Sequence, residues 1–133
     1  MTAVIVCSGD IRDYAFHRKY IDGADMVICV DGGARHLKKM DIVPDVLLGD
    51  FDSIDRSDLD YYRNKKVRVM SYPEEKDMTD TELAIEYAVE NGFDSVTVLA
   101  AVGSRLDHSL SNILALKKML DMNVEGLLAD ERN

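Results

Sequence analysis

Six short apolar runs, most of them continuous rather than alternating, constrain the fold of this chain more than any other feature. The runs are Ala3 to Cys7, Met26 to Val30, Val46 to Leu48, Val67 to Met70, Val96 to Ala101 and Val124 to Ala129. A short, continuous apolar run is typical of a strand that is covered on both faces, as the strands of a parallel sheet are. Several runs are followed by polar segments compatible with helices, which indicates an α/β fold.

Two helices are well marked in the sequence. In TDTELAIEYAVENG, residues 79–92, Thr79 and Glu82 have the spacing of a capping box, and Gly92 supplies a stop. In DHSLSNILALKKML, residues 107–120, an apolar face is followed by two lysines that favour the negative end of the helix dipole. Weaker helices are predicted at residues 11–20, 35–40 and 58–64. The pattern predicts an open, mostly parallel, Rossmann-like sheet of about six strands with helices on both faces.

Length and charge narrow the classes of protein. The chain has 133 residues, which suits a single domain, and its 25 acidic against 16 basic residues give a net charge of −9. Such a balance argues against a nucleic-acid partner. The N-terminal MTAVIVCSGD fits neither a secretory signal nor a membrane span, so a cytoplasmic location is expected. Cys7 and Cys29 fall in predicted buried strands, where a thiol usually acts as a small hydrophobe, and no disulfide is indicated.

Acidic residues accumulate directly after the apolar runs. Ligands of such sheets bind beyond the carboxyl ends of the strands, so these positions are the candidates for chemistry. Asp31, Gly32 and Gly33 follow the second run, and their glycines would let the backbone approach a ligand closely. Neither GxGxxG nor GxxxxGK[ST] is present, and a glycine-rich turn between strand and helix explains the motif equally well.

The stretch GDFDS places Asp50 and Asp52 after the third run. Extended backbone would send both carboxylates to one side, which is a natural clamp for a metal ion. Oxygen ligands of this kind suit Mg²⁺, which usually completes its coordination with water and substrate phosphates. The alternative is that Asp52 or Ser53 only caps the next helix.

The stretch EKDMTD adds Asp77 and Asp80 just before a predicted helix. Three residues apart, they share a face if the helix starts early. Asp80 would otherwise compete with Thr79 as the helix cap, which is at least as good an explanation for this pair alone.

The stretch GSRLDH adds Arg105 and Asp107 after the fifth run. Arginine offers a fork of donors to phosphate oxygens, although a local ion pair with a cap at Asp107 is an equal alternative. His108 is the histidine nearest to this cluster; His17 and His36 are predicted to face solvent, and no histidine is assigned a catalytic role. Several carboxylates meeting at one sheet edge would repel polyphosphate, whereas with Mg²⁺ they would form a phosphoryl-transfer site.

In combination, these motifs resemble a known family. DGGA at residues 31–34, PDVLLGDFDS at 44–53, EKDMTD at 75–80 and GSRLDHSLSN at 103–112 closely resemble, in this order, the thiamine pyrophosphokinases. The resemblance covers most of the chain. It implies transfer of a pyrophosphoryl group from ATP to the hydroxyl of thiamine, giving thiamine diphosphate and AMP, with Mg²⁺ required.

The resemblance also implies roles for individual residues. The metal-site carboxylates would be Asp50, Asp52, Asp77 and Asp80. The catalytic group would comprise Arg105 and Asp107, as phosphate and metal-site partners, with Asp80 as the favoured proton acceptor. The residues on the nucleotide side would be Asp31, Gly32, Gly33, Lys76, Arg105 and His108.

One departure from the family's pattern bears on activity. Family members usually carry a second, β-rich domain that helps to enclose thiamine across a homodimer interface, and nothing in residues 1–133 resembles it. We therefore expect this chain to be the ATP- and Mg²⁺-binding catalytic domain, with weak or absent turnover by itself and a homodimer in the full-length form. The alternatives are another Mg²⁺-dependent phospho- or nucleotidyltransferase, or a noncatalytic module that binds nucleotide or metal.

Overall fold

The computed structural model describes residues 1–7, 9, 11–49, 56–71, 80–100 and 117–129, and it contains one six-stranded sheet. The strands are β1 (Thr2–Val6), β2 (Met26–Val30), β3 (Val46–Gly49), β4 (Arg68–Ser71), β5 (Ser95–Leu99) and β6 (Glu125–Ala129). Their order across the sheet is β4-β3-β2-β1-β5-β6, and every neighbouring pair is parallel. The predicted parallel α/β sheet is confirmed.

Four helices connect the strands within the described residues. They are α1 (Tyr14–Asp22), α2 (Ala34–Lys39), α3 (Arg56–Asn64) and α4 (Asp80–Glu90), and residues 117–121 are also helical. The well-marked helix predicted at residues 79–92 corresponds to α4, which is followed by Gly92 with a positive φ of 87°. Its predicted cap, Thr79, lies outside the described residues, as do residues 107–116 of the other predicted helix.

The helices cover both faces of the sheet, as predicted. On one face the buried residues of α1, α2 and α3 pack on the strands, and Ile21, Leu37 and Tyr62 are their largest contributions. On the other face α4 and the segment 117–121 supply Ile85 and Met119, among others. This layering explains why the inner strands are continuously apolar, because helices cover both of their faces.

The two cysteines lie on opposite faces of this sheet. Cys7 belongs to the core cluster under α4, and Cys29 to the cluster under α1, α2 and α3. Side chains that point away from each other across a sheet cannot be joined by a disulfide without movement of the backbone. The prediction that both serve as small buried hydrophobes is confirmed.

At the amino edge of the sheet, an aspartate stands one residue before each of three strands. Asp25 and Asp45 stand one residue before β2 and β3, and each forms a reciprocal pair with the neighbouring strand. The N–H of Thr2 donates to Asp25 Oδ2 (2.8 Å) and the N–H of Asp25 donates back to the Thr2 carbonyl (2.9 Å). Asp45 makes the same two bonds with Val27, at 2.8 and 2.9 Å.

Asp94 is the third of these aspartates. It stands one residue before β5, and its side chain is more exposed. Its Oδ1 accepts from the N-terminal ammonium of Met1 at 3.0 Å, which lowers the pKa of Asp94 and raises that of the ammonium. The carboxylates of Asp25 and Asp45 therefore satisfy backbone N–H groups of the adjacent strand, and that of Asp94 pairs with the terminal ammonium that precedes β1.

The chain reverses direction across the sheet at β1. Strands β1 to β4 proceed outward to one edge, and the chain then returns over α4 to place β5 on the other side of β1. In sheets of this type the crevice that binds ligands is expected at such a reversal, which here lies beyond the carboxyl ends of β1 and β5. Within the described ranges, no helix has the length and apolar character needed to cross a membrane.

Candidate functional site

Backbone hydrogen bonds join the carboxyl ends of β1 and β5, at the base of the expected crevice. The N–H of Cys7 donates to the Leu99 carbonyl (2.9 Å), and the N–H of Gly9 donates to the Ala100 carbonyl (2.8 Å). Ala100 has a φ of 57°, in the left-handed region that a residue with a side chain seldom adopts. Such conformations persist only where the surroundings impose them, and they are frequent at functional sites.

The Asp31–Gly33 turn, a single 3₁₀ turn after β2, packs directly on the end of β1. A Cβ at Gly33 would lie 2.4 Å from the Val6 carbonyl oxygen and 3.0 Å from that of Cys7. Only glycine allows this approach. The sequence raised the prospect that these glycines bring the backbone near a ligand; at Gly33 the close approach is to the chain itself, and it fixes the turn at the edge of the crevice.

His36, on α2, connects this turn to the loop after β1. Its Nε2 lies 2.5 Å from the Gly9 carbonyl oxygen, and its Nδ1 lies 2.9 Å from the hydroxyl of Tyr14 on α1. Burial lowers the pKa of His36 from 6.5 to about 4, and the hydrogen bond to Gly9 opposes that change only in part. His36 is therefore neutral at physiological pH.

The prediction that His17 and His36 face solvent is wrong. Their exposed fractions are 1% and 3%. His17 lies on α1 beside Phe16, with Nδ1 2.9 Å from the Asp13 carbonyl oxygen. Nδ1 of His17 and both ring nitrogens of His36 lie within hydrogen-bond distance of a partner, which offsets the cost of burying a polar ring.

Arg35 brings a positive charge to the same place. This exposed side chain donates to the carbonyl oxygens of Gly32 (3.4 Å) and Gly9 (3.3 Å). It therefore spans the gap between the Asp31–Gly33 turn and the loop after β1. A guanidinium with donors left over is suited to phosphate oxygens.

Helix α4 begins at the same edge of the sheet, on the other face. The Sγ of Cys7 lies 3.5 Å from Oγ1 of Thr81 in the first turn of α4, and both residues are buried. Lys118, in the segment 117–121, pairs with Glu86 at 3.0 Å and approaches Glu82 at 4.0 Å. These contacts set the start of α4, and with it the backbone of Asp80, beside the end of β1.

The predicted site residues divide into those that the backbone places and those outside the described ranges. Asp31 opens the turn after β2, Asp50 follows the last residue of the neighbouring β3, and Asp80 is the first residue of α4. Gly32 and Gly33 are buried in the turn. Outside the described residues lie Asp50 itself, Asp52, Lys76, Asp77, Arg105, Asp107 and His108.

A divalent cation fits the chemistry of this edge. Asp31 and the residue before Asp50 lie at the ends of adjacent strands, and carboxylate oxygens are the ligands that Mg²⁺ takes. Among the residues that the structure describes, no three His, Cys, Asp or Glu side chains group closely enough to hold a metal. The ligand set predicted at Asp50, Asp52, Asp77 and Asp80 stays a prediction.

Sequence reasoning missed the residues that build the described part of the site. Tyr14, Arg35, His36 and Thr81 all make contacts there, and none was a candidate. Apart from Gly32, which lies three residues from Arg35, their partners lie 22 to 74 residues away in the chain, so no local spacing reports them. The one available signal was the position of Arg35 and His36, which come directly after the candidate glycine motif.

Comparison with known proteins supplies the family. Residues 17–127 match the model of the thiamin pyrophosphokinase catalytic domain. The chain is 34% identical over 114 residues to the thiamine pyrophosphokinase of Bacillus subtilis (strain 168), an alignment that covers 86% of this chain and 53% of that protein. It thus spans about half the length of this relative.

Solved structures agree with the sequence match. The crystal structure of thiamine pyrophosphokinase from Bacillus subtilis superposes with a TM-score of 0.83 at 30% identity, covering 98% of this chain and 61% of that one. The thiamin pyrophosphokinase of Geobacillus thermodenitrificans gives a TM-score of 0.78 at 30% identity, with coverages of 98% and 60%.

Proposed function

This chain belongs to the thiamin pyrophosphokinase family, and we propose that it binds ATP with Mg²⁺ and takes part in pyrophosphoryl transfer to thiamine. The observation that carries the proposal is the family match over residues 17–127, which contains all four quoted motifs entire.

The placement of the described residues supports a nucleotide site at the crevice. A topological switch point, a glycine turn and an exposed arginine meet there, and α4 begins beside them. The net charge of −9 would repel a polyphosphate unless a cation stood between them. This is the physical reason for proposing Mg²⁺ as the partner of the nucleotide.

The metal would be held by Asp50 and Asp52, with Asp77 and Asp80 completing the protein ligands. When bound, Mg²⁺ supplies neutralisation of the charge that develops on the phosphate oxygens. We propose further that Lys76 and Arg105 donate to those oxygens, with Asp107 and His108 beside them. Asp31, Gly32 and Gly33 would lie along the nucleotide.

The reaction proposed is an in-line displacement at the β-phosphorus of ATP. The hydroxyl oxygen of thiamine forms a bond to that phosphorus as the bond to the oxygen of the α-phosphate breaks and AMP leaves. The hydroxyl proton passes to a carboxylate, for which we propose Asp80. Positioning of the two substrates and electrostatic stabilisation would supply most of the rate.

Several finer features belong to the proposal. Because the chain spans 53% of the length of the Bacillus subtilis enzyme, we propose that thiamine is enclosed with the help of sequence beyond these 133 residues. The family resemblance supports a homodimer for the full-length form, and we also propose a cytoplasmic location. A purified 133-residue chain should then bind nucleotide but turn over slowly.

Calorimetric titration of the purified chain with a non-hydrolysable ATP analogue tests nucleotide binding. We expect saturable binding that requires Mg²⁺, and its absence with and without the metal would overturn the proposed function. A second titration, adding thiamine or another hydroxyl compound to the analogue complex, tests the acceptor. Equal responses to unrelated alcohols would contradict thiamine as the substrate.

An AMP-release assay with ATP, thiamine and Mg²⁺ then compares this chain with the Bacillus subtilis enzyme. We expect a much lower rate for this chain. Turnover at the rate of that enzyme would show that residues 1–133 hold a complete active site.

A further inference from the structure

Gly9 is held from three directions at the mouth of the crevice. Its N–H donates to the Ala100 carbonyl at 2.8 Å, which connects it to the end of β5. Its carbonyl oxygen accepts from Nε2 of His36 at 2.5 Å and from Arg35 at 3.3 Å, both on α2. The backbone of one residue therefore joins the segments that follow β1, β2 and β5.

The hydrogen bonds of His36 determine its tautomer. A carbonyl oxygen can only accept, so Nε2 carries the hydrogen. In the neutral ring Nδ1 is then an acceptor, and the hydroxyl of Tyr14 donates to it across 2.9 Å. Tyr14 on α1 therefore favours the tautomer of His36 that carries its hydrogen on Nε2. Helix α2 places this N–H donor against the Gly9 carbonyl.

The surroundings of His36 favour this neutral form. Tyr14 and His17 face it from α1, and Arg35 and Lys39 lie beside it on α2. The cations on α2 and the burial of the ring disfavour a second proton. Among the residues that the structure describes, no carboxylate contributes to the pKa of His36 in the opposite direction.

We propose that His36 is a positioning residue for the nucleotide site: its Nε2–H holds the Gly9 carbonyl and so keeps the crevice between β1 and β5 in its binding form. This inference rests on the proposed function, since it concerns the same crevice. His36 would not contact the substrate. It would act through the backbone of Gly9 and through the turn at Gly32 and Gly33. Arg35 also donates a hydrogen bond to this turn.

Two amide substitutions separate this role from simple packing. The side-chain N–H of glutamine reaches about where Nε2 lies, whereas asparagine reaches only as far as Nδ1. His36→Gln therefore keeps a donor for Gly9, while His36→Asn keeps a group for Tyr14 and loses the bond to Gly9. If His36 served only to fill space, His36→Gln and His36→Asn would not differ in their effect on Gly9.

The first measurement is the affinity of each variant for a non-hydrolysable ATP analogue with Mg²⁺. We expect His36→Gln to bind within about twofold of the unmodified chain and His36→Asn to bind about tenfold more weakly, the loss that one hydrogen bond to a preorganised site can account for. Equal affinities for the two folded variants would overturn the proposal.

The second measurement is hydrogen exchange at the Gly9 amide, which needs no ligand. We expect faster exchange in His36→Asn than in His36→Gln, with unchanged exchange at strand amides such as those of Ile5 and Val98. Equal exchange at Gly9 in both variants would contradict the proposal. If the unmodified chain fails to bind the analogue while Gly9 responds as expected, the proposed function falls and the positioning of Gly9 by His36 stands.

A third measurement uses only the unmodified chain, so it holds even if both variants fail to fold. Nitrogen-15 chemical shifts distinguish the two neutral tautomers of histidine. We expect His36 to carry its hydrogen on Nε2 at pH 7. The Nδ1–H tautomer would remove the bond to Gly9 and with it the proposal.

Discussion

The two edges of the sheet use polar side chains in opposite ways. At the amino edge, Asp25, Asp45 and Asp94 each precede a strand; the first two accept from a backbone N–H of the adjacent strand, and Asp94 accepts from the terminal ammonium of Met1. At the carboxyl edge, the described contacts to the backbone come from the neutral ring of His36 and from Arg35. The carboxylates at the amino edge are therefore used in hydrogen bonds that stabilise the fold. The carboxylates that follow strands are the candidates for chemistry.

The largest effect expected is on ligand binding, from a change at the carboxyl edge. Asp50→Asn should weaken the Mg²⁺-dependent binding of a non-hydrolysable ATP analogue by about 100-fold or more, because the proposed metal ligand would lose its charge; changes to groups that merely support metal ligands already cost about 10- to 100-fold. Titration calorimetry measures this effect.

Asp45→Asn, the same change at the amino edge, is the matched control for Asp50→Asn. It should leave the affinity for the analogue unchanged. Equal losses of affinity in the two variants would abolish the distinction between the edges.

The largest effect on stability is expected where the turn after β2 meets β1. Gly33→Ala would place a Cβ 2.4 Å from the Val6 carbonyl oxygen, so the backbone must shift, at a cost of about 3 kcal/mol. Gly23→Ala is the control, because the nearest atom to its Cβ would be 3.6 Å away and its φ of −87° suits alanine. Urea unfolding of both variants tests this, and similar midpoints would contradict the described packing of the turn.

The buried histidine at the carboxyl edge makes stability depend on pH. The pKa of His36 is about 4 in the folded chain and about 6.5 when unfolded, so between these values the unfolded chain binds the extra proton and stability falls as the pH is lowered. At pH 5 the loss attributable to His36 should be about 2 kcal/mol relative to pH 7.5.

His36→Gln removes this titration. Urea unfolding at several pH values should show the unmodified chain losing more stability below pH 6.5 than the variant does. Parallel pH profiles would show that His36 is not buried in its neutral form.

The smallest effects are expected at the amino edge. Asp45→Ala removes the acceptor of the Val27 N–H and should cost about 1–2 kcal/mol in urea unfolding. Asp94→Asn should have no resolvable effect at physiological salt, since the Asp94 side chain is 81% exposed and its pair with Met1 is screened. A larger loss for Asp94→Asn than for Asp45→Ala would reverse the order that burial predicts.

The strands were predictable because their signal is local. Each strand lies within two residues of an apolar run, since a strand covered on both faces must be apolar throughout. The reciprocal pairs of Asp25 and Asp45 were not predicted. They exist only because β1 pairs with β2 and β2 with β3, and no spacing in the sequence encodes that adjacency.

The candidate site was predictable in its place and only partly in its residues. Asp31 and Asp50 were predicted from the rule that ligands bind beyond the carboxyl ends of strands, and β2 and β3 end one residue before them. The burial of His36 did not follow, because a six-residue helix is too short for its apolar face to be read, and the partner Tyr14 lies on another helix. The predicted roles of the site residues stay predictions: Asp31, Gly32, Gly33, Asp50, Asp52, Lys76, Asp77, Asp80, Arg105, Asp107 and His108.

The central position of β1 determines when the crevice can form during synthesis. Thr2 of β1 pairs with Ser95 of β5, which lies more than ninety residues later in the chain. The second edge of β1 is therefore paired only after those residues have been synthesised. Closing so long a loop is slow compared with the pairing of β1 with β2, which are joined by a single helix. We therefore expect the nascent chain to assemble β1 to β4 first and to acquire its nucleotide crevice only when β5 has left the ribosome.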